Sequence, residues 1–536
     1  MLVKVLKRLF PFAAAGWVAS ALAGTVAYAP AEAAGLPFDD ISSSFAKQEI
    51  VSLYEQGLVS GVGSRMFQPN RPVTRAEFAT LLIRLFGLEP VDSAIPSYRD
   101  TPNGAWYYGS VEAASQLGLL QGMADGTFDP GAPLTREQAA VAVVRALRLG
   151  TPEGTVAYID ARSISPWAAA AVAAADRAGL LRGDAGSFRP QDPITRAEAA
   201  VLFSRIEQNA VWTAIKAATP NLGLQVGWQY QQTTDQFIAS VRKSNVNVLV
   251  PRVFFLDDAA DFTDNTDPAL VQWAAANGKQ VWGMFGNRSD AAKTHALLSD
   301  PDSRKSVVSR LTALVQKYGM DGINLDFENV GEADRAGLTS FVTELASSLH
   351  PIGKKLSVDV SPDLGSDWTA AFDYAELGKQ ADYIVLMGYD EHWSGSATPG
   401  SVSSLPWLEQ GLDTLLDAVP ASRTIVGLPF YTRKWSLSAK GSSADLTLAE
   451  QDKLIASLGS AVRSWNGTLG QYVFTFSQGS STYRIWAENS RSLTLKAEAA
   501  AQRGTAGLAY WFVGAETPDV WASLRNAAKY GQVHFD

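Results

Sequence analysis

Between residues 222 and 512 short apolar runs alternate with stretches of helical periodicity. The runs are LGLQVGW (222–228), VNVLVPRVFF (246–255), KQVWGMF (279–285), GINLDFE (322–328), KLSVDVS (355–361), DYIVLMGYD (382–390), TIVGLPFY (424–431) and GLAYWF (507–512). Helix-patterned segments such as SVVSRLTALVQKYG (306–319) and LTSFVTELASSLH (338–350) lie between them. A strand that is followed each time by a helix predicts a parallel sheet with the helices outside it. Eight such units predict an α/β domain over 220–536, a (β/α)8 or TIM barrel. An open doubly wound sheet is the alternative, but no G-x-G-x-x-G turn follows any of the runs.

Active sites of such barrels sit at the C-terminal ends of the strands. Asp326, Glu328, Asp359, Tyr389, Asp390, Tyr431 and Trp511 all fall there. The fourth run, MDGINLDFENV (320–330), carries three carboxylates among apolar residues. On a strand Asn324, Asp326 and Glu328 share one face, and Ile323, Leu325 and Phe327 the other. The first set is expected inside the barrel and the second beneath the helices. Neighbours on one face are roughly 6–7 Å apart, so Asp326 is close enough to raise the pKa of Glu328 by like-charge repulsion. A protonated Glu328 can serve as a general acid. Asp321 falls outside the inward set and reads as structural. The segment 432–504 is a long insertion, expected to build one wall of the groove.

The first part of the chain is built on a repeat of about sixty residues. SRMFQPNRPVTRAEFATLLIRLFGL (64–88), DGTFDPGAPLTREQAAVAVVRALRL (125–149) and AGSFRPQDPITRAEAAVLFSRI (185–206) align without gaps. Each repeat opens with an aromatic residue followed two places later by Asp (FDD 38–40, YRD 98–100, YID 158–160). A helical pattern then ends in Gly-Leu at 57–58, 118–119 and 179–180, where Gly suits a left-handed helix end. Prolines 72, 133 and 193 keep the next loop extended. Thr74, Thr135 and Thr195, each with Glu or Gln three residues on, predict capping boxes on a second helix. Three helix–loop–helix units over 36–90, 96–150 and 156–207 therefore form an all-helical domain. A helix-compatible linker (208–219) joins it to the barrel.

Composition limits what remains. The net charge of −9 argues against a nucleic-acid partner, which needs a basic face. The chain has no cysteine, so disulfides and thiolate-bound metals are excluded. His295, His350, His392 and His534 form no HxxxH or HExxH pair, and no metal or organic cofactor is implied. Lys4, Lys7 and Arg8 precede an apolar run from about 9 to 29, then a small-residue cluster containing Ala31-Glu32-Ala33. That pattern predicts a signal peptide over 1–34 and export, with no membrane association of the mature chain; an uncleaved membrane anchor is the alternative.

The repeats resemble the S-layer homology (SLH) module of bacterial surface proteins. That resemblance implies anchoring to the cell wall through secondary wall polysaccharide, with Arg75, Arg136 and Arg196 contacting acidic sugar and Asp40, Asp100 and Asp160 helping to line the grooves. The Arg residues at the first helical position also read as plain solvated surface. Within the barrel, MDGINLDFE resembles the D-x-x-D-x-D-x-E signature of glycoside hydrolase family 18, the chitinase-like enzymes. LMGYDEH (386–392) and GLAYWFVGAETPDVW (507–521) are similar to further segments of that family. The resemblance implies retaining hydrolysis of β-1,4 bonds at N-acetylglucosamine, in peptidoglycan or a chitin-like glycan, assisted by the substrate acetamide. Glu328 would protonate the glycosidic oxygen, Asp326 orient the acetamide and Tyr389 bind its carbonyl. Asp390 would bind sugar, Trp511 form the floor, and Asn324 and Tyr431 complete the substrate set; Trp511 and Tyr431 also read as plain core aromatics, and for Tyr431 taken alone that reading is the stronger. Asn324 stands where most of the family have Asp, a form resembling the spore-cortex N-acetylglucosaminidase branch. A wall-anchored protein that binds N-acetylated glycan without cleaving it is the alternative.

Overall fold

The computed structural model describes residues 36–150, 156–438, 442–458 and 461–531. The signal peptide expected over 1–34 lies outside the described residues. All eight apolar runs form strands: β1 (Leu224–Trp228), β2 (Val248–Val250), β3 (Gln280–Gly286), β4 (Gly322–Asp326), β5 (Lys355–Val360), β6 (Tyr383–Met387), β7 (Thr424–Pro429) and β8 (Gly507–Trp511). Neighbours pair in parallel, and β8 pairs with β1 to close the barrel. Strand alternation separates two cores. Val226, Trp228, Val250, Trp282, Met284 and Ile425 fill the barrel. Ile323, Leu325 and Phe327 point outward to Leu338, Phe341 and Leu345 of the helix Arg335–Leu349.

Local chemistry sets the helix ends. In Pro301–Tyr318 the Asp300 carboxylate accepts the Ser303 amide, Pro301 opens the first turn, and Gly319 at φ 73° ends the last. Each device suits its position, because the first amides lack helical partners and a left-handed C-terminal residue costs Gly nothing.

Two features elaborate the barrel. The second run is interrupted at Pro251, which has no N–H for the ladder. Beyond it Arg252–Asp258 continues along β3 and folds into a hairpin with Asp261–Asp264. Between β7 and β8 the insertion forms a five-stranded antiparallel sheet in the order 443–447, 431–436, 481–487, 471–478, 462–466. The helix Ser490–Gln502 then returns to the barrel wall.

The three repeats each supply two helices: Lys47–Glu55 with Arg75–Leu85, Tyr108–Gln116 with Arg136–Ala146, and Ala169–Arg177 with Arg196–Glu207. All three capping boxes form, with Gln138 replacing Glu in the second. Their extended segments close a ring at the centre. The Val73 amide donates to the Ile194 carbonyl, Ile194 to Leu134, and Leu134 to Val73, each at 2.9 Å. One apolar cluster spans all six helices.

The expected linker is the helix Ala210–Ala217, and the two domains are in contact. Tyr530 of the last helix (Pro518–Gly531) joins the repeat core, and its hydroxyl reaches the Arg145 and Ala146 carbonyls at 3.1 and 3.0 Å. Arg525 grips Glu89 through two 2.6 Å bonds. Buried Gln116 bonds Ser490 and Ser523.

Candidate active site

The site assembles where β4 ends. Asp326 is the last residue of that strand, and its Oδ1 is buried without a hydrogen-bond partner. Burial first, and then the nearby Glu328 charge, push its carboxyl up to about 7, against the pull of Arg252. The like-charge effect was expected to act on Glu328; the group it raises is Asp326, because Asp326 is the more deeply buried of the two. Glu328 stands two residues beyond it in the cleft, where the Ser289 hydroxyl donates to its Oε2 at 2.8 Å. Its backbone is held from β3. The buried Asn287 amide donates to the Glu328 carbonyl at 2.7 Å and accepts the Glu328 N–H at 3.1 Å.

Asn324 does not reach the cleft. It is fully buried one step below Asp326, where Trp228 Nε1 donates to its Oδ1 at 3.0 Å. Its Nδ2 donates to Ser357 Oγ at 3.0 Å and to Asp359 Oδ1 at 2.7 Å. The expectation that Asn324 binds substrate is therefore corrected. With its amide committed to three barrel residues, it is a support. Asp359 on β5 is the partner the sequence left unassigned: it is buried, and burial first and the Asp326 charge second hold its carboxyl well above the usual range.

Aromatic groups close the floor. Trp511 at the end of β8 stacks with Tyr389 at 6.5 Å between centroids and 26° between planes, and packs edge-on to Trp228. Burial is the main cause that raises the Tyr389 phenol pKa, followed by the Asp359 and Asp326 charges, so the hydroxyl stays a donor. A cleft of about 580 Å³ is lined by Glu328, Met387, Tyr389, Asp390 and the tryptophans 368, 393 and 407. Asp390 is exposed, and its Oδ1 accepts from Tyr431 Oη at 2.6 Å and Arg433 Nη2 at 2.8 Å. Tyr431, expected in the substrate set, is buried, and its hydroxyl is engaged by Asp390. Arg433 brings the insertion to the rim. Arg288, Ser289, Asn329 and Asp390 hold left-handed φ values of 52°, 55°, 54° and 66° around the mouth, a strained backbone of the sort that collects at functional sites. Asp321 lies at the opposite end of β4, where it accepts the Val281 amide at 2.9 Å.

The family model for glycosyl hydrolases family 18 matches residues 227–516, more than half of the chain. The chain belongs to this family. It is a glycosidase, and three S-layer homology domains match at 37–79, 97–140 and 158–200. Among curated relatives, the uncharacterized glycosylase YvbX of Bacillus subtilis is 26% identical over 349 residues, covering 63% of this chain and 98% of that one. The surface-layer 125 kDa protein of Lysinibacillus sphaericus is 28% identical over 345 residues, 59% of this chain. A cortical fragment-lytic enzyme of Bacillus subtilis is 26% identical over 237 residues, 43% of this chain. The chain spans 29% and 55% of the length of the last two. A chitinase from Chromobacterium violaceum superposes with a TM-score of 0.53 at 24% identity, covering 57% of this chain and 98% of that one. The Bacillus cereus spore cortex-lytic enzyme SleL also gives 0.53, at 20% identity, covering 58% and 75%. These likenesses show the shared barrel.

The SLH part of this family 18 glycosidase uses its signature residues mainly on itself. Arg75 and Arg136 are buried. Arg75 donates to the Phe128 and Gln121 carbonyls of the next repeat, each at 2.7 Å, and Arg136 to those of Phe188 and Arg182 at 2.8 and 2.9 Å. Neither is a solvated surface residue, and neither is free to contact sugar; both staple neighbouring repeats. Arg196 makes the same bonds to Phe67 and Ser60 across the ring, but it also lines an open groove of about 250 Å³ with Glu77, Arg84 and Trp106. Asp40, Asp100 and Asp160 likewise have structural work. Each carboxylate accepts two successive amides, Phe67–Gln68, Phe128–Asp129 and Phe188–Arg189, at 2.7–2.8 Å. The second residue of each pair is left-handed, at φ 57–58°. Unforeseen were Phe45, Trp106 and Trp167, exposed aromatics at matching positions of the three repeats. Their constant spacing was a signal available in the sequence.

Proposed function

We propose that this glycosidase cleaves β-1,4 bonds at N-acetylglucosamine in a wall glycan, with retention, through attack by the substrate's own acetamide. The observation that carries this reading is the arrangement of Asp326, Glu328 and Tyr389 over Trp511. The unpaired, buried Oδ1 of Asp326 is suited to an acetamide N–H, because a buried carboxylate oxygen is costly until paired. The Tyr389 hydroxyl can donate to the acetamide carbonyl as that oxygen turns on the anomeric carbon. Glu328, fixed by Ser289 and Asn287, gives its proton to the leaving oxygen and afterwards activates the water that opens the oxazolinium-like intermediate. A second carboxylate as nucleophile is not needed. Trp368 and Trp393, both exposed beside the cleft, offer stacking faces to further sugars.

The SLH domains mark a protein anchored at the cell surface. We assign the secondary wall polymer to the groove at Arg196, Arg84 and Trp106, where a guanidinium pair and an aromatic face suit an acidic sugar. The leader-like residues 1–34 carry the export proposal, and the similarity to a cortical fragment-lytic enzyme favours peptidoglycan over chitin. Digests of purified peptidoglycan and of chitin, with products identified by mass spectrometry, test it. Wild type should release N-acetylglucosamine-ended fragments with retained configuration. Glu328→Gln should bind without cleaving. Wild-type protein that binds the glycan and releases no reducing ends would overturn the assignment.

A further inference from the structure

We propose that Arg252 reads a carboxylate on the substrate, so that the enzyme favours an N-acetylated glycan carrying an acidic sugar beside the residue seated on Trp511. The proposal rests on the glycosidase reading above and specifies its substrate.

Arg252 follows Pro251 at the start of the rim strand. Its guanidinium carbon lies 5.1 Å from the Tyr230 ring centroid, 5.3 Å from Phe255 and 5.8 Å from Trp511. Among the described residues no carboxylate forms an ion pair with it, and its Nε is buried without a partner. Its neighbours differ: Arg288 is paired with Asp257 at 2.7 Å and Arg433 with Asp390 at 2.8 Å. Asp326 feels the Arg252 charge at longer range.

Arg252 also lines a second hollow of about 510 Å³, on the β1–β2 side of Trp511, with Tyr230, Gln232 and Thr266. Gln232 Oε1 and Thr266 Oγ1 are buried there and unpaired. The Gln232 amide is oriented by its Nε2, which donates to the Val513 carbonyl at 2.9 Å. The hollow thus combines a cation held between aromatic rings with two unused polar groups. A guanidinium restrained by rings keeps its N–H edge for an incoming group, and its fork matches a carboxylate. A neutral sugar would leave that charge desolvated and unpaired. The ether-linked lactyl carboxylate of the acidic amino sugar in peptidoglycan is the group of this chemistry that alternates with N-acetylglucosamine.

The test uses the full chain carrying Glu328→Gln. Binding is measured to two tetrasaccharides, a neutral N-acetylglucosamine oligomer and a peptide-free peptidoglycan strand bearing lactyl carboxylates. The acidic strand should bind at least about tenfold tighter, with the preference shrinking as salt is raised. Adding Arg252→Gln should abolish the ratio whatever it does to the neutral oligomer, and Arg252→Lys should restore part of it. Equal binding of the two sugars, or a ratio unchanged in Arg252→Gln, would overturn the proposal. Hydrolysis by the otherwise wild-type chain is scored separately. Failure to cleave either sugar would count against the glycosidase mechanism, while the binding ratio would still decide the role of Arg252.

Discussion

Asp326 shows how one residue's surroundings set its chemistry. Its carboxyl rises to about 7 because burial and Glu328 both disfavour the charge. A carboxyl whose folded pKa exceeds its unfolded value contributes stability that is complete below the ordinary carboxylate range and is lost as pH rises through about 7. Asp326→Asn should therefore melt close to wild type near pH 4 and above it at pH 8, by up to about 4 kcal/mol, while activity falls at least about a hundredfold. Thermal melts at the two pH values, with a hydrolysis assay, check both statements. Asn324 gives the complementary case. Its Nδ2 donates to Asp359, so Asn324→Asp replaces a donor with a third acid in a buried cluster. It should destabilise the chain by roughly 1–3 kcal/mol at neutral pH and less near pH 4, read in the same melts. Asn324 was visible as an unusual residue; its burial beneath Trp228 was not, because one strand's pattern gives a facing direction and not the depth at which a neighbour covers it.

At the scale of elements, sequence was most informative where a local rule acts alone. The three capping boxes and the Gly ends at 57, 118 and 179 form as their motifs require. Each depends on residues within a few positions of one another. The Arg residues beside those boxes are a different matter. Arg136 bonds carbonyls 46 and 52 residues away and also pairs with Glu198 at 2.9 Å. Arg136→Ala should cost about 3 kcal/mol or more, since buried carbonyls and Glu198 lose their donor together, whereas Thr135→Ala should cost about 1 kcal/mol. Denaturant titration of the full chain distinguishes the two. The hairpin after Pro251 was not foreseen: 246–255 read as one strand, and the pairing of Arg252–Asp258 along β3 depends on a distant strand.

On the scale of the whole molecule, the two domains are joined by packing as well as by sequence. Tyr530 lies 6.3 Å from Phe86 between ring centroids, Arg148 sits 4.4 Å from its ring, and its hydroxyl is bonded inside the repeat domain. Burial of this kind couples unfolding. Calorimetry of the wild type should show one main transition. Tyr530→Ala, which removes about 3 kcal/mol of aromatic packing, should separate it into two while hydrolysis of soluble glycan persists. A wild type that already melts in two well-resolved steps would contradict the coupling.

The sequence by itself determined the eight strands, the helix–loop–helix repeats, their caps and the acidic run at the end of β4, because periodicity and capping are properties of neighbouring residues. Tertiary structure alone decided which polar groups meet. It put Asp359 beside Asn324, Ser289 on Glu328 and Tyr431 on Asp390, and it spent Arg75 and Arg136 on the next repeat. Those partners come from segments far apart in the chain, brought together by barrel closure and by the ring of three repeats. Whether a charged side chain faces a ligand or a carbonyl is fixed by the packing around it, which no single stretch of sequence encodes.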